Sequence, residues 1–259
     1  MNEATVPAKG TLPAGARSEA DASRQVREMF THIAPRYDLL NHLLSLQLDR
    51  LWRARVARRL RAILARPDAL VLDLCCGTGD LAFSLSRSAR ARIIGADFSH
   101  AMLVRARAKS QLVSSHSGPA ARAPMPFFEA DALRLPFGDA SFDLITTAFG
   151  FRNLANYEAG LREIHRLLKP GGTLAILEFT EPPAGFLGDV YRWYFRNVLP
   201  RIGAFLSGDN SAYTYLPASV SRFFRPKELA SLMTAVGYQG VEFRVWTFGT
   251  VALHTATKL

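Results

Sequence analysis

The sequence predicts an α/β fold, a mostly parallel sheet with helices on both faces, and three observations carry that expectation. Short apolar runs alternate with segments of helical periodicity from about residue 67 to residue 180. The first run, Ala69 to Leu74, leads through Cys75-Cys76-Gly77-Thr78-Gly79 into a helix opening at Asp80, and its glycines let the backbone turn sharply and approach a ligand. The second, Arg92 to Asp97, ends in an acid about 20 residues beyond the glycine turn, a placement suited to a ribose diol.

At 259 residues, 49% of them hydrophobic and 21% charged, the chain is expected to fold as one domain around a single core. Residues 1–18, rich in Ala, Gly, Pro and Thr, read as a disordered tail. Residues 19–259 read as one domain, with an N-terminal helical cap over 19–66, a cofactor-binding core over 67–180, and a substrate-side segment with closing strands over 181–259.

Apolar residues at Val26, Met29, Phe30 and Ile33 predict a first helix over Glu19 to Ile33, closed by Pro35. Further helices are expected over Tyr37 to Ser45 and Asp49 to Leu64, the last with Leu51, Trp52, Val56, Leu60, Ile63 and Leu64 as its buried stripe. A helix follows the glycine loop, and Ser99 is placed to cap the next one. Residues Ser114 to Pro124 read as a surface loop. Phe127 to Ala130, Ser141 to Thr147 and Thr173 to Phe179 are the later parallel strands, with a helix over Tyr157 to Leu168 and a breaker at Lys169-Pro170-Gly171-Gly172. A helix over Pro226 to Val236 and paired strands over Val241 to Trp246 and Val251 to Thr257 close the chain.

Net charge is +10, from 32 Lys and Arg against 22 Asp and Glu, which points to an anionic partner, either nucleic acid or an anionic membrane surface. Arg50, Arg53, Arg55, Arg58, Arg59, Arg61 and Arg66 concentrate in one helix or at its end, and a solvated face explains them equally well. No apolar run is long enough to predict a spanning helix. The two adjacent cysteines form no disulfide framework, and no Cys or His spacing resembles a metal site, so a reducing cytoplasm and no metal are expected.

Ligands of such folds sit outside the carboxyl ends of the strands, which places Asp73, Cys75, Gly77, Thr78 and Gly79 in the candidate site. The loop lacks the Lys of a Walker A and the third glycine and acid placement of a dinucleotide fingerprint. A sulfonium donor carries the ribose diol without a pyrophosphate, so Asp-x-Cys-x-Gly-x-Gly resembles motif I of class I methyltransferases, whose Rossmann-like sheet it implies. Asp97 would then hold the ribose hydroxyls, Phe98 or Met102 would pack on adenine, and Asp131 either accepts from the adenine amino group or caps a turn.

Longer blocks make the resemblance specific. Phe30 to Leu44 (FTHIAPRYDLLNHLL), Val71 to Asp80 (VLDLCCGTGD), Asp131 to Phe137 (DALRLPF), Phe149 to Leu154 (FGFRNL), Leu167 to Phe179 (LLKPGGTLAILEF), Leu199 to Leu216 (LPRIGAFLSGDNSAYTYL) and Val251 to His254 are similar to the quinone-biosynthesis C-methyltransferase family, which methylates demethylmenaquinol and the ubiquinone precursor ring. The resemblance implies S-adenosyl-L-methionine as cofactor and a prenylated quinol as partner, demethylmenaquinol before the benzoquinol. It implies donor contacts at Thr78, Asp97, Asp131 and Ala132, and at Ala148 through backbone only, since some relatives carry serine there. Cys75-Cys76 against the alanine and glycine of other members reads as packing variation.

Methylating a ring carbon calls for ionising or polarising a phenol that titrates near pH 10. Arg152 and Asn153 are the candidate catalytic oxyanion donors, the alternative for Arg152 being a structural pair with Glu178 or Asp143. Tyr37, Asp38, His42, Tyr215 and Asp209 are candidate bases in capping segments, with none singled out, and His165 reads as a packing residue. The aromatic and basic stretch Phe186 to Leu206, with Arg192, Arg196 and Arg201, reads either as a core helix or as an entry for the prenyl tail touching the membrane. Peripheral association with the inner face of the membrane is therefore expected; a homo-oligomer is left open. An RNA-directed role is the competing class, but no recognisable RNA module or basic tail supports nucleic acid as a partner.

Overall fold

The structure is a computed structural model that describes residues 10, 11, 13, 15–45, 47–115, 123–182, 185, 188, 193, 197 and 211–259. Its centre is a seven-stranded sheet in the order β3-β2-β1-β4-β5-β7-β6. The strands are β1 (Leu70–Leu74), β2 (Arg92–Asp97), β3 (Phe127–Glu129), β4 (Phe142–Ala148), β5 (Leu168–Phe179), β6 (Gln239–Trp246) and β7 (Val251–Thr257). The pairings β2–β3, β1–β2, β1–β4 and β4–β5 are parallel, while β7 runs antiparallel to both β5 and β6. Strand order reverses between β1 and β4, so the crevice beyond their carboxyl ends is the expected ligand position.

The helices are α1 (Glu19–Ile33), α2 (Tyr37–Leu44), α3 (Leu48–Arg59), α4 (Arg61–Leu64), α5 (Asp80–Ser86), α6 (His100–Ser115), α7 (Tyr157–Leu167), α8 (Ser211–Arg222) and α9 (Pro226–Val236). Alternate side chains of each strand feed opposite layers. Leu72, Leu74, Ile145, Leu174 and Ile176 join Leu161 and Ile164 of α7 and Leu229 and Met233 of α9. Val71, Leu144, Ala175 and Leu177 join Trp52 and Val56 of α3, Leu64 of α4 and Leu81 and Leu85 of α5. Caps follow local chemistry: the Ser18 side chain accepts from the Asp21 N–H at 3.1 Å to open α1, and Asn156 accepts from Ala159 at 3.0 Å to open α7.

Several expectations need correction. Pro35 does not separate α1 from α2; a 3₁₀ turn, Ala34–Arg36, carries the chain directly from one to the other, because proline is tolerated in a first turn. The single helix expected over Asp49 to Leu64 divides at Leu60. Lys169-Pro170-Gly171-Gly172 is not a break before β5 but a bulge within it: Phe142 pairs with Leu168 and Leu144 with Thr173, and the extra residues are accommodated by Gly171 at φ 76°. Helix α8 was not anticipated, since Pro217 lies inside it. The disordered reading of residues 1–18 fails at Gly10 and Thr11, which are buried; Thr11 N–H donates to the Leu154 carbonyl at 2.8 Å and its hydroxyl bonds the Tyr215 hydroxyl at 2.7 Å. The stretch 186–206 lies outside the described residues apart from 188, 193 and 197.

His254 of β7 is buried, with Nε2 2.9 Å from the Pro226 carbonyl at the start of α9. Burial outweighs that hydrogen bond and pulls its pKa from 6.5 to about 4. The unfolded chain therefore binds the proton that the native state refuses, and stability is lost as pH falls from 6.5 toward 4, by about 1.4 kcal/mol per pH unit. Urea melts across that range should show this acid limb, and His254→Phe should flatten it.

Candidate functional site

Four loops at the carboxyl end of the sheet, together with α1 and α2, line a cavity, the position where folds of this kind take their ligands. Leu74, Cys75 and Gly77 after β1, Asp97, Phe98 and Met102 after β2, and Ala130, Asp131, Ala132 and Leu133 after β3 line one part. Ala148, Phe149, Gly150, Asn153, Leu154 and Ala155 after β4 line the other, and Ser23, Phe30 and Tyr37 cover it. The last three recur two helical turns apart along the continuous α1–α2 path, a spacing in the sequence that could have marked them.

Of the residues expected to bind a donor, Gly77, Asp97, Phe98, Asp131, Ala132 and Ala148 face the cavity. Asp97 Oδ2 accepts from the Gly77 N–H and Oδ1 from the Ser99 N–H, both at 2.8 Å, so the backbone on two loops sets its orientation. Burial pushes its carboxyl up to about 6, with those two N–H groups opposing. Asp131 Oδ1 accepts from the Leu133 N–H at 2.9 Å, the turn-capping alternative, yet the residue also lines the cavity. Arg27 of α1 lies 5.4 Å from the centre of the Phe98 ring.

Asp73, Thr78 and Gly79 do not line the cavity; they hold the loop that does. Asp73 is buried, accepting from the Ala82 N–H of α5 at 3.0 Å and the Thr146 hydroxyl of β4 at 2.9 Å, and burial raises its pKa to about 7. Gly79 at φ 87° turns the chain into α5, and a Cβ there would meet Phe83 at 2.8 Å. Thr78 donates to Asp38 Oδ1 of α2 at 2.5 Å and accepts from Lys109 Nζ of α6 at 3.0 Å. Lys109 also reaches Asp38 at 2.7 Å and Asp80 at 2.8 Å. Beside it, Asp49 takes His42 Nδ1 at 2.7 Å and Arg53 at 2.6 Å, with Arg53 3.4 Å from Asp80. Together these groups fasten the cap to the glycine loop.

The expected oxyanion pair separates. Arg152 is buried outside the cavity lining, ion-paired to Glu178 at 3.1 Å, 3.3 Å from Ser219 Oγ and bonded to the Phe149 carbonyl. Burial works against its charge and Glu178 overrides it, keeping the guanidinium protonated. Arg152 thus makes the pair with Glu178 of β5 that the sequence offered as its structural alternative. Asn153 does face the cavity: its Oδ1 accepts from the Tyr215 hydroxyl at 3.0 Å, and its Nδ2 is only loosely held, 3.4 Å from the Phe149 carbonyl.

Among the candidate bases, Asp38 and His42 belong to the cap fastening, and Asp209 lies outside the described residues. His165 packs edge-on against Tyr238 at 5.0 Å. Tyr37 and Tyr215 have phenols raised by burial and so stay protonated near neutrality. His42, Asp49 and Asp80 bring one candidate ligand atom each within 4.8 Å of one another, but Arg53 and Lys109 already neutralise the acids.

The groups that face the cavity suit an adenosyl sulfonium donor. A carboxylate fixed by backbone N–H groups faces the interior, and the walls approach closely because Gly150 lacks a Cβ, which would sit 2.4 Å from Cys75 Cβ. Cys75 and Phe149, non-glycine residues at φ 53° and 59°, store strain at this contact.

The model of the ubiE/COQ5 methyltransferase family matches residues 18–258. The demethylmenaquinone methyltransferase of Deinococcus radiodurans is 48% identical over 92% of this chain and 94% of its own. That of Thermus thermophilus is 47% identical over 89% of this chain and 100% of its own. A crystal structure of a SAM-dependent methyltransferase from Thermotoga maritima shares the fold with a TM-score of 0.61 at 19% identity, covering 90% of this chain and 100% of that one.

An ionised Asp97 accepts hydrogen bonds from a diol and a protonated one does so poorly, so donor affinity should weaken as pH falls through about 6. Calorimetry should show that limb in the wild type; Asp97→Ala should lack it and bind about 1.5–3 kcal/mol more weakly at pH 8. Gly150→Ala forces Cys75 and Gly150 apart, and a fall in melting temperature together with weaker donor binding is expected.

Proposed function

This chain belongs to the ubiE/COQ5 methyltransferase family and is an S-adenosylmethionine-dependent methyltransferase, and from that premise we propose that it C-methylates a prenylated quinol ring, demethylmenaquinol to menaquinol. The observation that carries the reading within the fold is the continuous cavity, which joins the Asp97 and Asp131 half to an apolar half of Phe149, Leu154 and Ala155 with one amide, Asn153, at its wall. The first half suits the donor and the second a flat aromatic ring with one polar anchor.

The donor, when bound, supplies an electrophilic methyl carbon. The protein's part is to hold the ring carbon in line and to favour electron density on it. Asn153 does this by donating its Nδ2 hydrogen to the ring oxygen as negative charge builds there; Tyr215, donating to Oδ1, fixes which end of the amide faces the substrate. Arg152 acts one step back, fixing the 3₁₀ turn Phe151–Asn153 through Glu178 and the Phe149 carbonyl. After transfer, the ring carbon's proton is lost and aromaticity returns. A closed cap over Phe30 and Tyr37 excludes water from the reacting carbon. Among the described residues no helix is long and apolar enough to cross a membrane.

With labelled donor, the purified protein should methylate reduced demethylmenaquinol in detergent micelles and leave its oxidised quinone unmodified. Asn153→Ala should lower kcat by about 100-fold or more with donor affinity near wild type. Donor binding without methylation of demethylmenaquinol, alongside turnover of a benzoquinol precursor, would replace the proposed ring.

A further inference from the structure

The arginines of α3 and α4 do not all serve the fold. Arg53 does, within the cap fastening, and Arg66 reaches Asp68 and Asp143. Arg55, Arg58, Arg59, Arg61, Arg244 and Trp246 instead line a shallow groove between these helices and β6. Arg59 meets Glu242 at 3.3 Å, and among the described residues no ion pair engages the other four guanidiniums. Gathering five guanidiniums around a single carboxylate leaves like charges repelling one another in the compact state.

A second observation adjoins it. The β6–β7 hairpin turns through Thr247 and Phe248, both in the left-handed region at φ 50° and 55°, and this uncommon backbone leaves the Phe248 ring 74% exposed. Strain that presents an apolar ring to solvent gives the protein itself no packing in return.

Position links both features to the cavity. β6 is antiparallel to β7, which is antiparallel to β5, so Trp246 and the hairpin lie at the carboxyl end of the parallel strands, where the cavity is. Trp52 Nε1 donates to Thr247 Oγ1 at 2.8 Å, and the same indole packs 5.9 Å from Phe149 of the cavity wall.

We propose that the groove between α3–α4 and β6, with the β6–β7 hairpin tip, is the surface by which this protein docks on an anionic phospholipid bilayer. Phe248 enters the interfacial layer while the arginines, one of them stacked on the core-packed Trp246, meet headgroup phosphates, the arrangement of aromatic and basic residues that interfacial binding uses. The exposed Phe248 stands at the hairpin tip and not along the basic track, which favours a bilayer over nucleic acid, since the latter would want stacking platforms along that track. The purpose of docking rests on the proposed prenylated substrate, but the binding can be measured without it.

The test is co-sedimentation of the full chain with phosphatidylglycerol–phosphatidylcholine vesicles, with pure phosphatidylcholine vesicles, and with a short single-stranded RNA as competitor. The wild type should bind the anionic vesicles, bind the neutral ones weakly, and be released by salt. Arg58→Glu with Arg61→Glu and Arg244→Glu should weaken anionic-vesicle binding by about 100-fold or more, and the three lysine substitutions should retain it. Phe248→Trp should shift its emission to the blue on anionic vesicles, a readout that does not depend on the stability of the triple variant. Equal vesicle binding by wild type and the glutamate variant, an unshifted Phe248→Trp emission, or displacement from vesicles by RNA at lower concentration than by salt would overturn the proposal. Turnover of a water-soluble, short-tailed quinol reads the catalytic proposal separately: vesicle binding without that turnover would end the quinol reading and leave the docking surface standing.

Discussion

One buried carboxylate ties together the elements that make the cavity. Asp73 is the penultimate residue of β1, at the point where strand order reverses, and its two oxygens engage the first turn of α5 and the neighbouring strand β4. A buried acid is tolerable only with such partners, and here they are the groups whose spacing fixes the glycine loop. Once Asp73 holds α5 against β4, the loop between Cys75 and Gly79 has a defined path. Its Gly77 N–H then meets Asp97, and its Cys75 meets Gly150. The two sides of the cavity are thus positioned by one polar contact between three elements.

The cap is attached by a different kind of interaction. Thr78, Asp38, Lys109 and Asp80, with His42, Asp49 and Arg53 alongside, form a partly buried network of both charges spanning α2, α3, α5 and α6. Its components are paired and hydrogen-bonded, so desolvation is offset. The apolar rings of Phe30 and Tyr37, 6.0 Å apart, then close over the cavity itself.

Positive charge is divided between these tasks. Arg53 and Lys109 neutralise acids in the cap, Arg152 is held against Glu178 beneath the site, and Arg66 and Lys169 meet Asp143, whose carboxyl they keep below its ordinary value against the effect of burial. The remaining arginines of α3 and α4 face outward beside a strained hairpin. The surplus in the composition therefore has a local address.

The sequence by itself determined the strand–loop–helix rhythm, the limits of β2, β7 and α9, and the acids at strand ends, because these depend on periodicity and on glycine and proline, which act over a few residues. Asp97 and Asp131 were legible as cavity residues for the same reason: a strand end in a parallel sheet has one destination. The tertiary structure alone decided where the neighbours of a chosen residue would come from. Arg152 and Asn153 are adjacent in the chain, yet one side chain meets an acid of β5 and the other faces the cavity, a difference of direction that no spacing encodes. Thr78 sits in the glycine loop yet its hydroxyl turns to α2 and α6, and Thr11 leaves a low-complexity tail to bond Tyr215 more than two hundred residues away. Local preferences set which element forms; only packing many elements at once sets which polar group each side chain finds.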